Sequence, residues 1–251
     1  MAKGVDRTIY ESASTLVKRS LWEGQPVIIK ALRPAARNPG SIARYHHEFT
    51  INQSLTSPSV CRALFMDDGE HRIIFEDTGS RALRELIQTG DLAIEDKLQI
   101  AMSLAQALQS IHDEGVIHRD LNPANVIIDE DALHARLIDF GLATLAPREY
   151  PLQEVSGQLT GTLPYISPEQ TGRINRVVDY RTDLYSLGVT LYELFCGTPP
   201  FTATDPLQLI HAHIASTPKP LHVVNPQLPQ WLSDVVQKLL AKQPEDRYQS
   251  A

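Results

Sequence analysis

Asp120, Asn125 and Asp139 are three oxygen-bearing side chains of the types that phosphoryl transfer uses. That chemistry needs one carboxylate at the acceptor hydroxyl and oxygen ligands for a metal at the phosphates. Asp120, in His118-Arg119-Asp120-Leu121-Asn122-Pro123-Ala124-Asn125, fits the first role. Asn125, with Asp139 of Asp139-Phe140-Gly141, fits the second. Val126-Ile127-Ile128 reads as a strand and Ala135-Arg136-Leu137-Ile138 as its hairpin partner, with Asp129-Glu130-Asp131 at the turn. That hairpin returns Asp139 to the side of Asn125, so two candidate metal ligands meet in space.

The elements that must position these groups divide unevenly along the chain. The first third reads as strands and one helix. Short strands at 15–17 and 27–30 flank the turn Glu23-Gly24-Gln25. Residues 41–55 read as a helix with Ile42, Tyr45 and Phe49 on one face. A strand at 72–75 ends in Glu76-Asp77-Thr78-Gly79, the expected hinge. The remainder is mainly helical. Residues 98–112 carry Ala101, Leu104, Ala105, Leu108 and Ile111 at helical spacing, with Gly115 beyond the end. A second apolar helix, 183–195, is stopped by Gly197 and Pro199-Pro200. Residues 207–214 and 231–240 are amphipathic.

Composition bounds the partners. The chain has 251 residues, 42% hydrophobic and 21% charged, an ordinary globular balance. A net charge of −7 argues against general nucleic-acid or anionic-membrane binding. Cys61 and Cys196 are the only cysteines, which points to a reducing cytoplasm rather than a disulfide framework. No stretch reaches 18 apolar residues, so no membrane span is expected, and residues 1–6 hold no signal-peptide run.

Taken in order, these motifs resemble the protein kinase family, from about Tyr10 to Ala251. The resemblance implies an α+β fold of two lobes: a small antiparallel β-rich lobe, 1–77, and a larger helical lobe, 78–251. It implies ATP and Mg2+ as cofactors and a protein substrate. Lys30, in Val27-Ile28-Ile29-Lys30, matches the strand lysine that holds the α and β phosphates. Glu48 is its expected helix partner. Asp120 is the expected base, and Asn125 and Asp139 the magnesium ligands. Ser12, Thr15, Val17, Ile28, Phe75 and Glu76 are expected around the nucleotide. Gly161-Thr162-Leu163-Pro164-Tyr165-Ile166-Ser167-Pro168-Glu169 resembles the close of an activation segment, with Ser167 where alanine is usual. Glu169 is expected to pair with Arg247, and Asp183 to anchor the catalytic-loop backbone. His118 is expected in the core and His112 at a helix end, while His46 and His47 read as surface residues. Arg119 implies control by phosphate on the activation segment, with Thr144, Ser156, Thr160 and the segment around Thr162 as sites to consider.

The sequence also departs from the family pattern. Tyr10, Ser12 and Thr15 stand at the glycine positions of the phosphate-covering loop. Glycine there would allow positive φ and close backbone approach. Asn122 replaces a lysine that faces the γ-phosphate, a loss of positive charge worth on the order of 10²-fold in rate. Ile28 narrows the space above the adenine. Asn52 is polar where an apolar packing residue is expected.

These departures together resemble the N-terminal serine/threonine kinase domain of large bacterial signalling proteins, in which an ATPase module, a GAF sensor and a sensor histidine kinase follow. On that likeness the chain is the first domain of a longer protein, ending where a kinase fold still expects a last helix. The implied activity is transfer of the ATP γ-phosphoryl to serine or threonine. A pseudokinase module that senses nucleotide or docks a partner accounts for the missing glycines and Asn122. A small-molecule kinase shares the Asp-x4-Asn loop but lacks the long activation segment.

Overall fold

The computed structural model describes residues 6–145, 161–174 and 176–251. Its first part is an antiparallel sheet of five strands, built from local hairpins. β1 (Arg7–Glu11), β2 (Thr15–Trp22) and β3 (Gln25–Leu32) follow in sequence, and β4 (Ala63–Asp67) and β5 (Arg72–Glu76) complete the order β1-β2-β3-β5-β4. The β2–β3 hairpin turns on Glu23 and Gly24, at φ 51° and 81°. A two-residue hairpin loop of this hand needs positive φ at both positions, which Gly24 adopts without strain.

Strand register decides which side chains reach the cleft. Val17 opposes Lys30, which opposes Ile73, and Ile28 opposes Phe75. Thr15 opposes Leu32. With a side-chain period of two, Thr15, Val17, Ile28, Lys30 and Phe75 therefore share one face. The helix α1 (Pro39–Ser54) covers part of that face, where Tyr45 packs with Leu32, Cys61, Ala63, Ile73 and Phe75. Asn38 caps α1 by accepting from Ser41 N at 3.0 Å, and Pro39 occupies its first turn.

The second part begins with β6 (Arg81–Ala82), α2 (Leu83–Thr89) and α3 (Ile94–Asp113). β7 (Val116–Ile117), the hairpin β8 (Val126–Asp129) and β9 (His134–Leu137), and β10 (Thr144–Leu145) carry the site residues. Then come α4 (Arg181–Cys196), α5 (Pro206–Ala215), α6 (Leu221–Val224) and α7 (Gln230–Leu239). α4 is buried nearly all round, as a helix at the centre of a core must be. Gly188 lets it approach α7: a Cβ there would stand 2.8 Å from Leu239 Cβ.

The expected helices and strands are present with shifted ends. The helix read from residue 98 starts a turn earlier, at Ile94, where its first turn holds Glu95 and Asp96. β1, β4, α2 and α6 are short and carry no periodicity long enough to mark them. Among the described residues, no helix is long and apolar enough to cross a membrane.

Candidate active site

The cleft face of β3 presents Lys30, and α1 presents Glu48. Lys30 Nζ donates to Glu48 Oε1 at 2.8 Å and Oε2 at 2.7 Å, and lies 2.9 Å from Asp139 Oδ2. Three elements far apart in sequence thus converge on one ammonium. Burial alone would lower the lysine's pKa, but Asp139 and Glu48 outweigh it and hold the ammonium charged. Burial pushes the Glu48 carboxyl up to about 7 against the pull of Lys30. Asp139 lies below its ordinary value despite burial, because Lys30 stands beside it.

The loop 118–125 is fixed by amides, its own and that of Thr162. Asn125 Nδ2 donates to Asp120 O at 2.9 Å and to Asp120 Oδ2 at 3.1 Å. Thr162 N donates to Asp120 Oδ1 at 2.8 Å. Burial raises the Asp120 carboxyl above its ordinary value, with Thr162 opposing. The β8–β9 hairpin acts as expected: Ile138 N donates to Asn125 O at 3.0 Å, which sets Asp139 beside Asn125. Arg119 and Asp139 both hold φ of 66°, a left-handed backbone that non-glycine residues adopt at a cost of order 1–3 kcal/mol.

The surrounding residues pay that cost through hydrogen bonds. Asp183, fully buried, accepts from His118 N and Arg119 N, both at 2.7 Å, and from His112 Nε2 at 2.9 Å. Gln170 Nε2 donates to Arg119 O at 2.8 Å, a contact that the sequence reading missed although Gln170 adjoins the quoted motif. Gly161, at φ 106°, lets the activation segment pass the loop, since a Cβ there would meet Arg119 O at 3.4 Å. Glu169 and Arg247 pair, buried, at 2.6 and 2.8 Å.

Several expectations change on this geometry. Asn122 is buried and braces the loop rather than merely lacking a charge. Its Nδ2 donates to Asp120 O at 2.9 Å, and its Oδ1 accepts from Ala124 N at 3.0 Å. Asn52 is no packing fault: it accepts from Ala63 N at 2.7 Å and donates to Cys61 O at 2.8 Å, tying α1 to the start of β4. His47 is exposed, as expected, yet its Nε2 donates to Ala143 O at 2.6 Å, linking α1 to the segment after Asp139. Ser167, where alanine is usual, places its hydroxyl against Thr182 and donates to Gln170 Oε1 at 3.2 Å. The Thr144 hydroxyl, on β10, is buried, so this conformation does not present it for phosphorylation. Ser156 and Thr160 lie outside the described residues.

The phosphate-covering loop also takes a form of its own. None of Ser12, Ala13, Ser14 and Thr15 has positive φ. Ser12 Oγ accepts from Thr15 N at 3.0 Å and Ser14 N at 3.3 Å, while Ser12 N donates to Thr15 O at 2.9 Å. Arg33 holds the turn from β3, donating from its backbone N to Ser14 O at 2.9 Å and from Nη1 to Ser12 O at 3.0 Å. The loop therefore dispenses with glycine by adopting a side-chain-capped turn. The Glu76 carboxylate accepts from Arg62 N at 3.1 Å and from Arg136 at 3.3 Å, so its side chain is held at the end of β5.

A model of the protein kinase domain family matches residues 11–251. The chain belongs to the protein kinase domain family. It is 34% identical over 238 residues to a probable serine/threonine-protein kinase of Streptomyces coelicolor, covering 91% of this chain and 35% of that protein. It is 34% identical over 244 residues to the serine/threonine-protein kinase PknB of Mycobacterium tuberculosis, covering 93% of this chain and 38% of that protein. A probable serine/threonine-protein kinase of Clostridium perfringens is 32% identical over 229 residues, 90% of this chain and 33% of that protein. The chain spans about a third of the length of the curated relatives it matches.

Family membership implies a nucleotide with a divalent metal, and the donor set suits one. Asn125 uses its Nδ2 on Asp120, which leaves its amide oxygen, and Asp139 supplies carboxylate oxygen. Among the described residues no group of three or more His, Cys, Asp or Glu could hold a metal by itself. Two hard oxygen donors without a full protein cage fit Mg2+, which keeps waters and binds substrate phosphates.

Proposed function

We propose that this chain is a protein serine/threonine kinase that transfers the ATP γ-phosphoryl to a polypeptide hydroxyl. The observation that carries the reading is Lys30 held at once by Glu48 and Asp139, an arrangement that serves phosphate binding and that packing alone does not require. Asp120 orients the acceptor hydroxyl and takes its proton. Lys30, fixed by Glu48, holds phosphate oxygens. Asn125 and Asp139 hold Mg2+, which when bound neutralises charge on the phosphates. Ser12, Thr15, Val17, Ile28, Phe75 and Glu76 line the nucleotide, the last three through β3 and the end of β5. Asp183, Glu169 and Arg247 keep the loop and segment in place.

Serine/threonine preference is supported by the names of the relatives and by Thr162 against Asp120 and Asn122. Arg119 serves regulation by phosphate on Ser156 or Thr160. The small lobe is 1–77 and the large lobe 78–251. The chain acts in the cytoplasm, consistent with free Cys61 and Cys196, as the kinase unit of a larger signalling protein with ATPase, GAF and histidine kinase modules.

The test is transfer of γ-labelled phosphate from Mg-ATP to the chain itself and to a basic protein, with Asp139→Asn as control. Label that vanishes in the variant supports the reading. The capped turn at Ser12 favours a second reading, a nucleotide-sensing pseudokinase. ATP-dependent thermal stabilisation without transfer would select it.

A further inference from the structure

Tyr45 stands on α1 within the proposed nucleotide cleft, one turn before Glu48. Its ring centroid lies 5.6 Å from Lys30 Nζ. The residue is 5% exposed, and its hydroxyl is buried without a hydrogen-bond partner. Thr15 of the phosphate-covering loop is close enough to act on the phenol's proton, yet the two make no hydrogen bond of normal geometry. The ring thus lies beside the ammonium that pairs with Glu48 and Asp139.

A buried hydroxyl without a partner costs of order 1–3 kcal/mol, which Tyr45 contributes against folding. Such a group is retained at no loss if a ligand satisfies it. The loop supplies the complementary observation. The amides of Ser12, Ser14 and Thr15 are all engaged inside the turn, and Arg33 holds two of its carbonyls. A loop so closed has few N–H groups to offer an anion. Phosphates bound here would need donors from elsewhere, and the Tyr45 phenol, beside Lys30 and near Thr15 of this loop, carries one.

We propose that the Tyr45 hydroxyl binds the nucleotide by donating a hydrogen bond to a phosphate oxygen, in place of amides that the glycine-free loop withholds. The assignment rests on reading the cleft as a nucleotide site. It explains how a capped, glycine-free turn is compatible with phosphate binding.

The experiment compares the whole chain with Tyr45→Phe by calorimetric titration with Mg-ADP, Mg-ATP and adenosine, and by melting without ligand. Phe keeps the ring against Lys30 and removes only the hydroxyl. The expected result is about a tenfold or greater loss of Mg-nucleotide affinity, the usual size for a hydrogen bond to a charged acceptor. Adenosine affinity should be unchanged, and the ligand-free Tm equal or higher. Mg-nucleotide affinity within twofold of wild type overturns the assignment. So does a lowered ligand-free Tm with weakened adenosine binding, which would make Tyr45 structural. If the wild-type chain binds no nucleotide at all, the kinase reading falls and this assignment with it.

Discussion

Arg247 and Glu169, 78 positions apart, meet in a bidentate ion pair closed to solvent. The guanidinium donates further to Ala241 O at 2.9 Å, Arg181 O at 2.8 Å and Lys242 O at 3.2 Å, and it stacks 5.0 Å over Tyr185. One side chain thus joins the end of the activation segment, the start of α4 and the chain after α7. Arg247→Ala leaves the buried Glu169 carboxylate without its cation and takes a donor from three carbonyls. It is expected to lower stability by about 3–5 kcal/mol, measured by denaturant unfolding. Arg247→Lys should recover less than half of that, because an ammonium cannot reproduce the fork. A loss under about 1 kcal/mol for the alanine variant would contradict the account.

Asp120 is the carboxylate proposed for proton transfer, and Asn125 and Thr162 N hold both of its oxygens. Asp120→Asn is expected to slow transfer by about 10²–10⁴, the range for a lost general base. Mg-ATP affinity should change little, since Asp120 makes no contact with Lys30. Steady-state rates alongside direct binding measure both, and an unchanged rate would remove the role.

Glu48 makes the site sensitive to pH through stability. Burial holds its carboxyl up to about 7 from an ordinary 4.5. The folded chain therefore keeps this proton to higher pH than the unfolded chain does. The stabilising contribution is fully present below 4.5 and is lost as pH rises through about 7. Lys30 stays protonated across this window. Glu48→Gln does not titrate, so wild-type Tm relative to the variant should fall between pH 4.5 and 7 and level off above. A difference constant across this range would show that the carboxyl titrates normally.

Asn52 offers a test of packing against polarity. Asn52→Leu supplies the apolar side chain that the helix pattern expects, yet it strands Cys61 O and Ala63 N. Each buried orphan costs of order 1–3 kcal/mol, so the variant should be less stable despite its greater hydrophobicity. A variant of equal or higher Tm would mean that Cys61 O and Ala63 N find other partners.

The motif residues were legible because their types, order and spacing resemble the protein kinase motifs. Lys30, Asp120, Asn125 and Asp139 could be chosen from the string, and the Val126–Leu137 hairpin could be foreseen from two apolar runs around an acidic turn. Asn122 and Asn52 were legible only as departures. Their value lies in hydrogen bonds to backbone groups of other segments, which no local pattern reveals. Gln170 and His47 were missed for the same reason, since each bonds to a carbonyl that only the fold brings near.

The sequence by itself determined the chemistry on offer: a carboxylate, two metal-suited oxygens, a strand lysine, and helices whose apolar spacing commits them to a core. Those properties are local, being set by residue type and by periods of two or 3.6 along the chain. Only the tertiary structure decided that Lys30 meets Asp139 as well as its expected partner Glu48, that Ser12 caps its own turn, and that the Tyr45 hydroxyl is buried without a partner. These depend on which strand faces align and on how far α1 approaches the sheet. That is fixed by the summed packing of distant segments, and it decides whether a polar group meets a partner or none.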